Sequence, residues 1–331
     1  MERRILPADE SKEWIIKAEE ETDFKYGCKP EDRRPLSHYI NYGIVNLDKP
    51  MGPTSHEVVV WVKNVLQLEK TGHGGTLDPK VTGVLPVALG EATKVTSALL
   101  NAGKEYVCVI KFHQELDLEK IKGLMNTFTT VIWQRPPVKS AVARVLRKRR
   151  IYYIDILETV GKYTVFRVGC EAGTYIRKLC FDLGEVALCG ANMAELRRTR
   201  AGLFTEDSVV TLQDLNDAFY ISTEEGDDSY LYKLIQPMEK AVEHMQKIIV
   251  RDTAVDALCH GANLAANGVL KIHADIKKGD HVAIMTQKGE LVAFGETFHS
   301  AIKIAKLSSG FVAKIERVAM PRRTYPHWKT T

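Results

Sequence analysis

Strand-like and helix-like segments follow one another in this chain of 331 residues without a regular alternation. Alternating apolar residues predict strands at 105–112, 151–157 and 164–170, whereas helical spacing of apolar residues predicts helices at 116–126 and 175–188. A doubly wound fold needs strand and helix to alternate, so this order argues against one. The sequence therefore predicts an α+β fold with a mixed, largely antiparallel sheet.

The pattern changes after Lys247, where short strand-like segments are separated by glycine turns and a helix is predicted over 252–259. A small β-barrel accounts for this pattern. The predicted organisation is an N-terminal extension over 1–36, a larger domain over 37–246, the barrel over 247–322 and a C-terminal tail over 323–331.

Two further helices are predicted outside these patterns. The extension is dense in charges of both signs, and its residues 11–21 predict a short helix followed by an extended arm that contains Pro30 and Pro35. Residues 236–245 predict a helix at the end of the larger domain.

Membrane and metal proteins are disfavoured. The longest stretch without a charged residue, 257–270, contains a histidine, two asparagines and two glycines, whereas a membrane span needs about 20 mostly apolar residues. The N-terminal sequence has no apolar core of a signal peptide, so we expect a cytoplasmic protein. The six cysteines lie at least nine positions apart, so we expect reduced thiols and no metal site.

Basic residues are concentrated in a few segments, although the net charge is only +4. Residues 134–150 carry seven basic side chains and no acidic one. Together with Arg197, Arg198 and Arg200 and a basic C-terminus, this distribution favours nucleic-acid binding over a solvated basic face. The residues of this strip that we expect to contact RNA are Arg144, Arg147, Lys148 and Arg149.

The loop 71–83, TGHGGTLDPKVTG, has an unusual composition, with four glycines and a single carboxylate, Asp78. No Gly-Lys-Ser/Thr follows, which excludes a phosphate-binding P-loop. Asp78 either initiates a turn before Pro79 or serves as a nucleophile or base at the floor of a cleft. For His73, hydrogen bonding within the loop and catalysis are both open.

Three other residues are candidates on local grounds. Ser55 is expected to cap the helix that follows it. Tyr106 opens a predicted strand, where its ring could be half-buried or stack on a base. Arg177 borders an apolar helix face and needs a carboxylate partner; if that partner is Asp78, the pair would hold the carboxylate ionised and oriented.

The chain resembles the TruB-like pseudouridine synthases in a series of long motifs that occur in the same order. These are GIVNLDKPMGPTSHEVV, GHGGTLDPKVTGVLPVALGEATK, AGKEYV, QRPPVKSAVARVLRKR, CEAGTYIRKL and MAELRRTRAG. The RPP segment, the N-terminal arm and the C-terminal sequence are similar to the archaeal H/ACA branch of the dyskerin family, whose members end in a PUA domain. The resemblance covers residues 3–328.

This resemblance implies a pseudouridine-synthase catalytic domain over 37–246 and a PUA domain over 247–322, with the extension packed on the PUA domain. It assigns the nucleophile to Asp78, the active-site tyrosine to Tyr106 and the arginine that pairs with the aspartate to Arg177. The remaining positions that it implies are Leu196, Lys49 and His73 at the substrate pocket, and His260, Gly261, Ala262 and Lys271 as RNA contacts of the PUA domain.

The implied activity is guide-dependent isomerisation of uridine in rRNA, which requires no cofactor. The implied partners are an H/ACA guide RNA, accessory proteins of the Nop and Gar types, and a kink-turn-binding protein of the ribosomal type. Two alternatives stay open: a stand-alone enzyme that modifies the T-loop of tRNA, and a non-catalytic RNA-binding assembly factor. The presence of Asp78, Tyr106 and Arg177 argues against the second.

Overall fold

The computed structural model describes residues 5–136 and 143–327. Residues 137–142 of the basic strip lie outside this description, as do residues 1–4 of the extension and 328–331 of the tail.

The described residues form nine α-helices, most of them short. The helices are α1 (Leu36–Asn41), α2 (Ser55–Val65), α3 (Thr96–Asn101), α4 (Leu118–Phe128), α5 (Ile176–Val186), α6 (Leu212–Glu224), α7 (Ser229–Leu234), α8 (Asp252–Cys259) and α9 (Ala301–Lys306).

Seventeen strands lie in the same residues. The strands are β1 (Trp14–Ile16), β2 (Gly43–Lys49), β3 (Thr71–His73), β4 (Thr82–Leu89), β5 (Lys104–Phe112), β6 (Val131–Gln134), β7 (Arg147–Val160), β8 (Tyr163–Cys170), β9 (Ala191–Ala201), β10 (Phe204–Thr205), β11 (Ile235–Pro237), β12 (Gln246–Val250), β13 (Leu264–Ala265), β14 (Val269–His273), β15 (His281–Met285), β16 (Leu291–Thr297) and β17 (Phe311–Val318).

The larger domain is built on a ten-stranded sheet with the order β11-β2-β4-β9-β5-β8-β7-β6, to which β3 and β10 add at the side. Its strand pairs are antiparallel except β4 and β9, which run parallel. Helices α4 and α5 pack on one part of the sheet around Phe112, Phe166 and Leu179. Helices α2, α6 and α7 pack on another part around Leu47 and Leu215. The predicted mixed, largely antiparallel α+β fold is confirmed.

The smaller domain is a seven-stranded sheet with the order β1-β14-β12-β15-β16-β17-β13. Its first strand, β1, comes from the N-terminal extension, so the helix predicted over 11–21 is wrong. Ile15 packs against the core of this domain, and the Trp14 ring lies 4.0 Å from that of His273. Pairing with β14 thus outweighs the local helical pattern, because strand formation depends on the neighbouring strand and on burial.

A buried contact joins the two domains. The Arg33 guanidinium donates two hydrogen bonds to the Glu239 carboxylate, at 2.9 and 2.5 Å, and Glu239 also accepts from the backbone N–H of Leu291 at 3.1 Å. A shared apolar core includes Ile44 from the larger domain and Phe294 from the smaller one. The extension, the larger domain and the smaller domain are therefore held together through one network.

The helix predicted over 236–245 is also wrong. Residues 235–237 form β11, which pairs antiparallel with β2, and Met238–Val242 form a single 3-10 segment. Pairing with β2 holds residues 235–237 extended, and this long-range contact accounts for the difference. Within the described residues, no helix combines the length and apolar character required to cross a membrane.

Candidate active site and RNA-facing surfaces

Asp78 and Arg177 form an ion pair at the surface of the larger domain. Asp78 lies in the loop between β3 and β4, and Arg177 is the second residue of α5. Arg177 Nη2 donates a hydrogen bond to Asp78 Oδ2, and the two side chains are 57% and 53% exposed. The carboxylate is thus oriented by an opposite charge while remaining accessible to a ligand.

The backbone just before Asp78 is anchored to the start of α2. The cap of α2 is Thr54, not Ser55 as predicted: Thr54 Oγ1 accepts from the backbone N–H of Glu57, and the Glu57 carboxylate accepts from that of Thr54. Ser55 is therefore free to point inwards, where its hydroxyl accepts from the Leu77 N–H at 2.8 Å and donates to the Leu77 carbonyl at 3.1 Å. These two bonds fix the residue that precedes Asp78.

Lys49 supports the other side of the same loop. Its side chain is fully buried, and Nζ donates to the carbonyl oxygens of Pro50 at 2.8 Å, Val81 at 3.0 Å and Pro79 at 3.3 Å. Burial lowers the pKa of Lys49, and the charge of Asp78 acts in the opposite direction. Lys49 thus holds the backbone that follows Asp78.

Tyr106 lies on β5, where its backbone faces Val168 of β8 and Arg198 of β9. Burial raises the pKa of the Tyr106 hydroxyl, whereas the charge of Arg198 and a side-chain hydrogen bond with it lower that pKa. The negative charges of Cys170 and, to a smaller extent, Asp78 also raise the pKa of Tyr106. At neutral pH the hydroxyl is therefore protonated in the resting protein.

Arg198 is a site residue that sequence reasoning assigned only to a general basic cluster. Its side chain is 1% exposed; Nε donates to the Val84 carbonyl at 2.7 Å and Nη2 to the Gly75 carbonyl at 3.1 Å. Burial lowers the pKa of Arg198. Gly83 packs so closely that a Cβ there would lie 2.2 Å from the Arg198 carbonyl oxygen. Side chains two residues apart on a strand point to the same face, so Arg198 lies on the face of β9 that carries Leu196. This alternation is the sequence signal from which Arg198 could have been identified as a site residue.

The other two arginines of that cluster are engaged with carboxylates. Arg197 donates two hydrogen bonds to Asp48, both at 3.0 Å, and one to Glu206 at 2.5 Å. Arg200 donates to Asp9 at 2.9 and 2.5 Å. The side chains of this cluster are thus engaged in intramolecular contacts, whereas the sequence favoured nucleic-acid binding for them.

His73 and Leu196 lie on strands near the Asp78 loop. His73 ends β3, and its Nδ1 accepts a hydrogen bond from the backbone N–H of Gly75 at 3.2 Å. Burial, followed by the charge of Arg198, lowers the pKa of His73. Leu196 on β9 faces Cys108 of β5 and packs, partly buried, against the core beneath α4 and α5.

Residues 147–150 of the basic strip begin β7, which pairs antiparallel with β6, and we call this pair of strands the basic hairpin. Arg147 and Arg149 line a shallow cavity, whereas Lys148 faces the opposite side. Arg144 precedes the strand and donates to the Pro136 carbonyl at 3.3 Å. The remaining residues that line the cavity are Gln134, Pro136, Gly173 and Tyr175.

The hairpin is connected to the helix that carries Arg177. Gln134 of β6 is 2% exposed; its Nε2 donates to the Tyr175 carbonyl at 3.2 Å, and its Oε1 accepts from the Tyr175 N–H at 2.9 Å. Tyr175 directly precedes α5. Gln134 thus links the basic hairpin to the start of the helix that carries Arg177.

The residues predicted to contact RNA in the smaller domain occupy two places. His260, Gly261 and Ala262 are exposed on the loop between α8 and β13, where Gly261 has a φ of +86°. Lys271 is exposed on β14, opposite Ile16 of β1. Since β13 and β14 are not neighbours in the sheet order, strand pairing does not bring Lys271 beside the loop.

A metal centre has no ligand set in the part of the chain that the structure describes. No group of three or more His, Cys, Asp or Glu side chains there is arranged to hold a metal ion.

Known proteins are similar to this chain over nearly its whole length. A "Probable tRNA pseudouridine synthase B" of Methanopyrus kandleri is 53% identical over 98% of this chain and 95% of its own length. One of the same name from Pyrococcus abyssi is 55% identical over 98% of this chain and 97% of its own length. The chain belongs to the TruB family of pseudouridylate synthases.

Family models cover successive parts of this TruB-family chain. The DKCLD model matches residues 5–59, the TruB family N-terminal model 63–123, the tRNA pseudouridylate synthase B C-terminal model 177–243 and the PUA model 246–319. The resemblance inferred from the sequence motifs is thus confirmed.

Solved structures share the fold of this TruB-family protein. A chain of a crystal structure of a Cbf5-Nop10-Gar1 complex has a TM-score of 0.95 and 52% identity, covering 98% of this chain and 99% of its own. A chain of a structure of an H/ACA RNP bound to a substrate RNA containing 2'-deoxyuridine has a TM-score of 0.92 and 51% identity, covering 97% and 99%.

Proposed function

We propose that this chain isomerises uridine to pseudouridine in RNA as the catalytic subunit of an H/ACA ribonucleoprotein. The observation that carries this proposal is the accessible ion pair of Asp78 and Arg177. An oriented and accessible carboxylate is suited to covalent or acid–base chemistry on a base that enters from outside.

The reaction breaks the bond between ribose C1′ and uracil N1 and forms a bond between C1′ and C5. The proton on C5 leaves and N1 gains a proton, so atoms and electrons balance without an oxidant or reductant. Asp78 attacks C1′, attacks the uracil ring or assists elimination to a glycal; all three routes use the carboxylate that Arg177 orients. Tyr106 stacks against the target base, and Leu196 forms an apolar wall of the pocket.

RNA is selected by base pairing with a guide, which leaves the protein to read shape and backbone. The target uridine must leave its helical context to reach Asp78. Contacts to the substrate are assigned to His73 and to the basic hairpin. The RNA-binding residues of this hairpin are Arg144, Arg147, Lys148 and Arg149, and those that hold the end of the guide RNA are His260, Gly261, Ala262 and Lys271.

Accessory proteins of the Nop and Gar types complete the particle, as in the solved relatives that contain Nop10 and Gar1. A kink-turn-binding protein of the ribosomal type binds the guide RNA. We assign the particle to the cytoplasm, because the six cysteines, all within the described residues, are free thiols and thus suit a reducing compartment.

The proposed division of the chain places the extension at 1–36, the catalytic domain at 37–246, the PUA domain at 247–322 and a tail at 323–331. It is supported by the separate sheets of the two domains. The pairing of β1 with β14 supports packing of the extension on the PUA domain.

A second candidate function is modification of tRNA without a guide, because the relatives are named tRNA pseudouridine synthases. Reconstitution separates the two. Full-length protein is combined with accessory proteins and one of two guide RNAs that pair with different uridines of one substrate, and pseudouridine is mapped by sequencing. We expect the modified position to follow the guide. Modification confined to a tRNA T-loop, unaffected by the guide, favours the second function, and no pseudouridine on either substrate contradicts both.

A further inference from the structure

The hairpin of β6 and β7 has an outward side on which only Lys148 has a role assigned above. We call this side the stacking face and define it as Val131, Trp133, Lys148 and Arg150. The antiparallel register pairs Val131 with Arg150 and Trp133 with Lys148, so each apolar side chain lies beside a basic one. Exposed apolar and cationic groups thus alternate on one surface.

Trp133 is the most distinctive residue of this face. Trp133 is 56% exposed, more than Trp14 at 41% and Trp61 at 44%, and Lys148 Nζ lies 5.1 Å from its ring centroid. The neighbouring positions of β6 point the other way: Ile132 packs against the core, and Gln134 is buried and bonded to Tyr175. Because both neighbours are fixed inwards, the indole is held out towards solvent on a rigid strand.

The charge around this ring selects the kind of partner. From Lys120 to Ile154 the sequence contains no Asp or Glu. The Glu171 carboxylate accepts from the Arg150 backbone N–H at 2.9 Å and lies 3.9 Å from Arg149 Nη1, so it is engaged with the backbone and with a side chain of the opposite face. An aromatic plane flanked by lysine and arginine fits single-stranded nucleic acid, whose bases stack while its phosphates meet the cations.

We propose that Trp133 is a stacking platform for an unpaired base of the RNA that this protein binds, with Lys148 and Arg150 holding the adjoining phosphates. The assignment rests on the proposed function, since it adds a contact for the same RNA. It also separates the roles of the basic hairpin: Arg147 and Arg149 serve the cavity side, and the stacking face serves a different nucleotide.

The test compares Trp133→Ala, Trp133→Phe and Lys148→Gln in the full chain. The dissociation constant of a short single-stranded RNA oligonucleotide is measured at several salt concentrations. Stacking is not ionic, so Trp133→Ala should weaken binding roughly tenfold or more without changing the slope of log K against log salt. Trp133→Phe should restore most of the affinity, whereas Lys148→Gln should reduce the slope by about 0.7.

Tyr230 provides a matched control. It is an exposed aromatic residue, and Lys233 Nζ lies 5.3 Å from its ring centroid, but Glu224, Asp227 and Asp228 lie nearby in sequence. Tyr230→Ala should leave RNA affinity unchanged. A fully paired RNA duplex should bind wild-type protein and Trp133→Ala alike, because it offers no unpaired base to the ring.

A fluorescence titration gives an independent readout. Subtracting the emission of Trp133→Phe from that of the wild type isolates Trp133 from the other tryptophans, and single-stranded RNA should quench this difference. Unchanged affinity of Trp133→Ala together with an unquenched difference signal overturns the proposal. So does a result in which Trp133→Ala weakens the binding of an accessory protein but not of RNA. These titrations measure RNA binding and do not depend on catalysis. Failure of the wild type to form pseudouridine would therefore contradict the proposed function without deciding whether Trp133 stacks on RNA.

Discussion

Ser55 and Leu77 exchange two hydrogen bonds directly before Asp78, so a serine of α2 sets the position of the loop that carries the proposed nucleophile. Ser55→Ala leaves the buried N–H and C=O of Leu77 without these partners, which costs about 1–3 kcal/mol. We expect turnover to fall roughly ten- to hundredfold because the carboxylate loses its alignment. Single-turnover kinetics and urea unfolding measure the two effects.

Thr54→Ala is the control for this prediction. It removes the cap of α2 and costs about 1 kcal/mol, but Thr54 does not bond to Leu77. Equal losses of turnover in the two variants would mean that general stability, not the position of Asp78, is responsible.

Arg198 is expected to act as a positioning residue for the same loop. Arg198→Met removes the bonds to Gly75 and Val84 but also relieves the burial of a cation, so the free energy of unfolding should change by no more than about 1–3 kcal/mol. Turnover should fall far more than RNA affinity. Arg197→Met, which breaks an ion pair with Asp48, is the matched control and should retain turnover; equal activity of both variants would remove Arg198 from the site.

Neutralising the basic hairpin should change how RNA binding responds to salt. Each phosphate contact that Arg147, Lys148 or Arg149 makes contributes about 0.7–0.9 to the slope of log K against log salt. The triple glutamine variant should therefore bind more weakly with a flatter slope. Arg197 and Arg200 are paired with carboxylates, so their glutamine variants should leave the slope in place. If the triple variant keeps the wild-type slope, the hairpin is a solvated face.

The edge where the extension meets the smaller domain should weaken in acid. His273 is 4% exposed and its Nδ1 accepts from the Lys247 N–H at 3.0 Å; burial, with the charges of Lys12 and Lys247, lowers its pKa to about 4. The unfolded chain takes up this proton near pH 6.5, which the folded protein excludes until about pH 4. Stability should therefore fall as the pH drops between these values.

His273→Gln should flatten that dependence by up to about 1.4 kcal/mol per pH unit, measured by urea unfolding at successive pH values. Part of the slope should remain, because burial also lowers the pKa of His244 to about 4. An identical slope in wild type and variant would show that His273 does not titrate in this range.

Local sequence patterns were sufficient to predict the elements whose apolar residues follow a regular strand or helix spacing. The strand predicted at 105–112 is β5 with one added residue, and the helix predicted at 252–259 matches the bounds of α8. Asp78, Tyr106 and Arg177 could be named because several motifs occur in a fixed order, although none of the three is distinctive by itself.

Long-range partners explain what the sequence did not reveal. The segment 14–16 becomes a strand only because β14 offers an edge, and Ser55 bonds to Leu77 only because Thr54 takes over the cap. From the sequence alone, Arg198 is indistinguishable from a surface cation; in the structure it bonds to Gly75 of the loop that carries Asp78. Each of these depends on residues far away in the chain, which local propensity does not describe.

Release of tritium from uridine labelled at C5 of the uracil is the most direct test of the account. Asp78→Ala is compared with wild type and with Asp182→Ala, which removes the carboxylate partner of Lys178 on the helix that carries Arg177. In particles reconstituted with guide RNA, Asp78→Ala should release no tritium and bind RNA as tightly as wild type, while Asp182→Ala stays active. Tritium release by Asp78→Ala at the wild-type rate would contradict the assignment of this carboxylate as the group that performs the reaction.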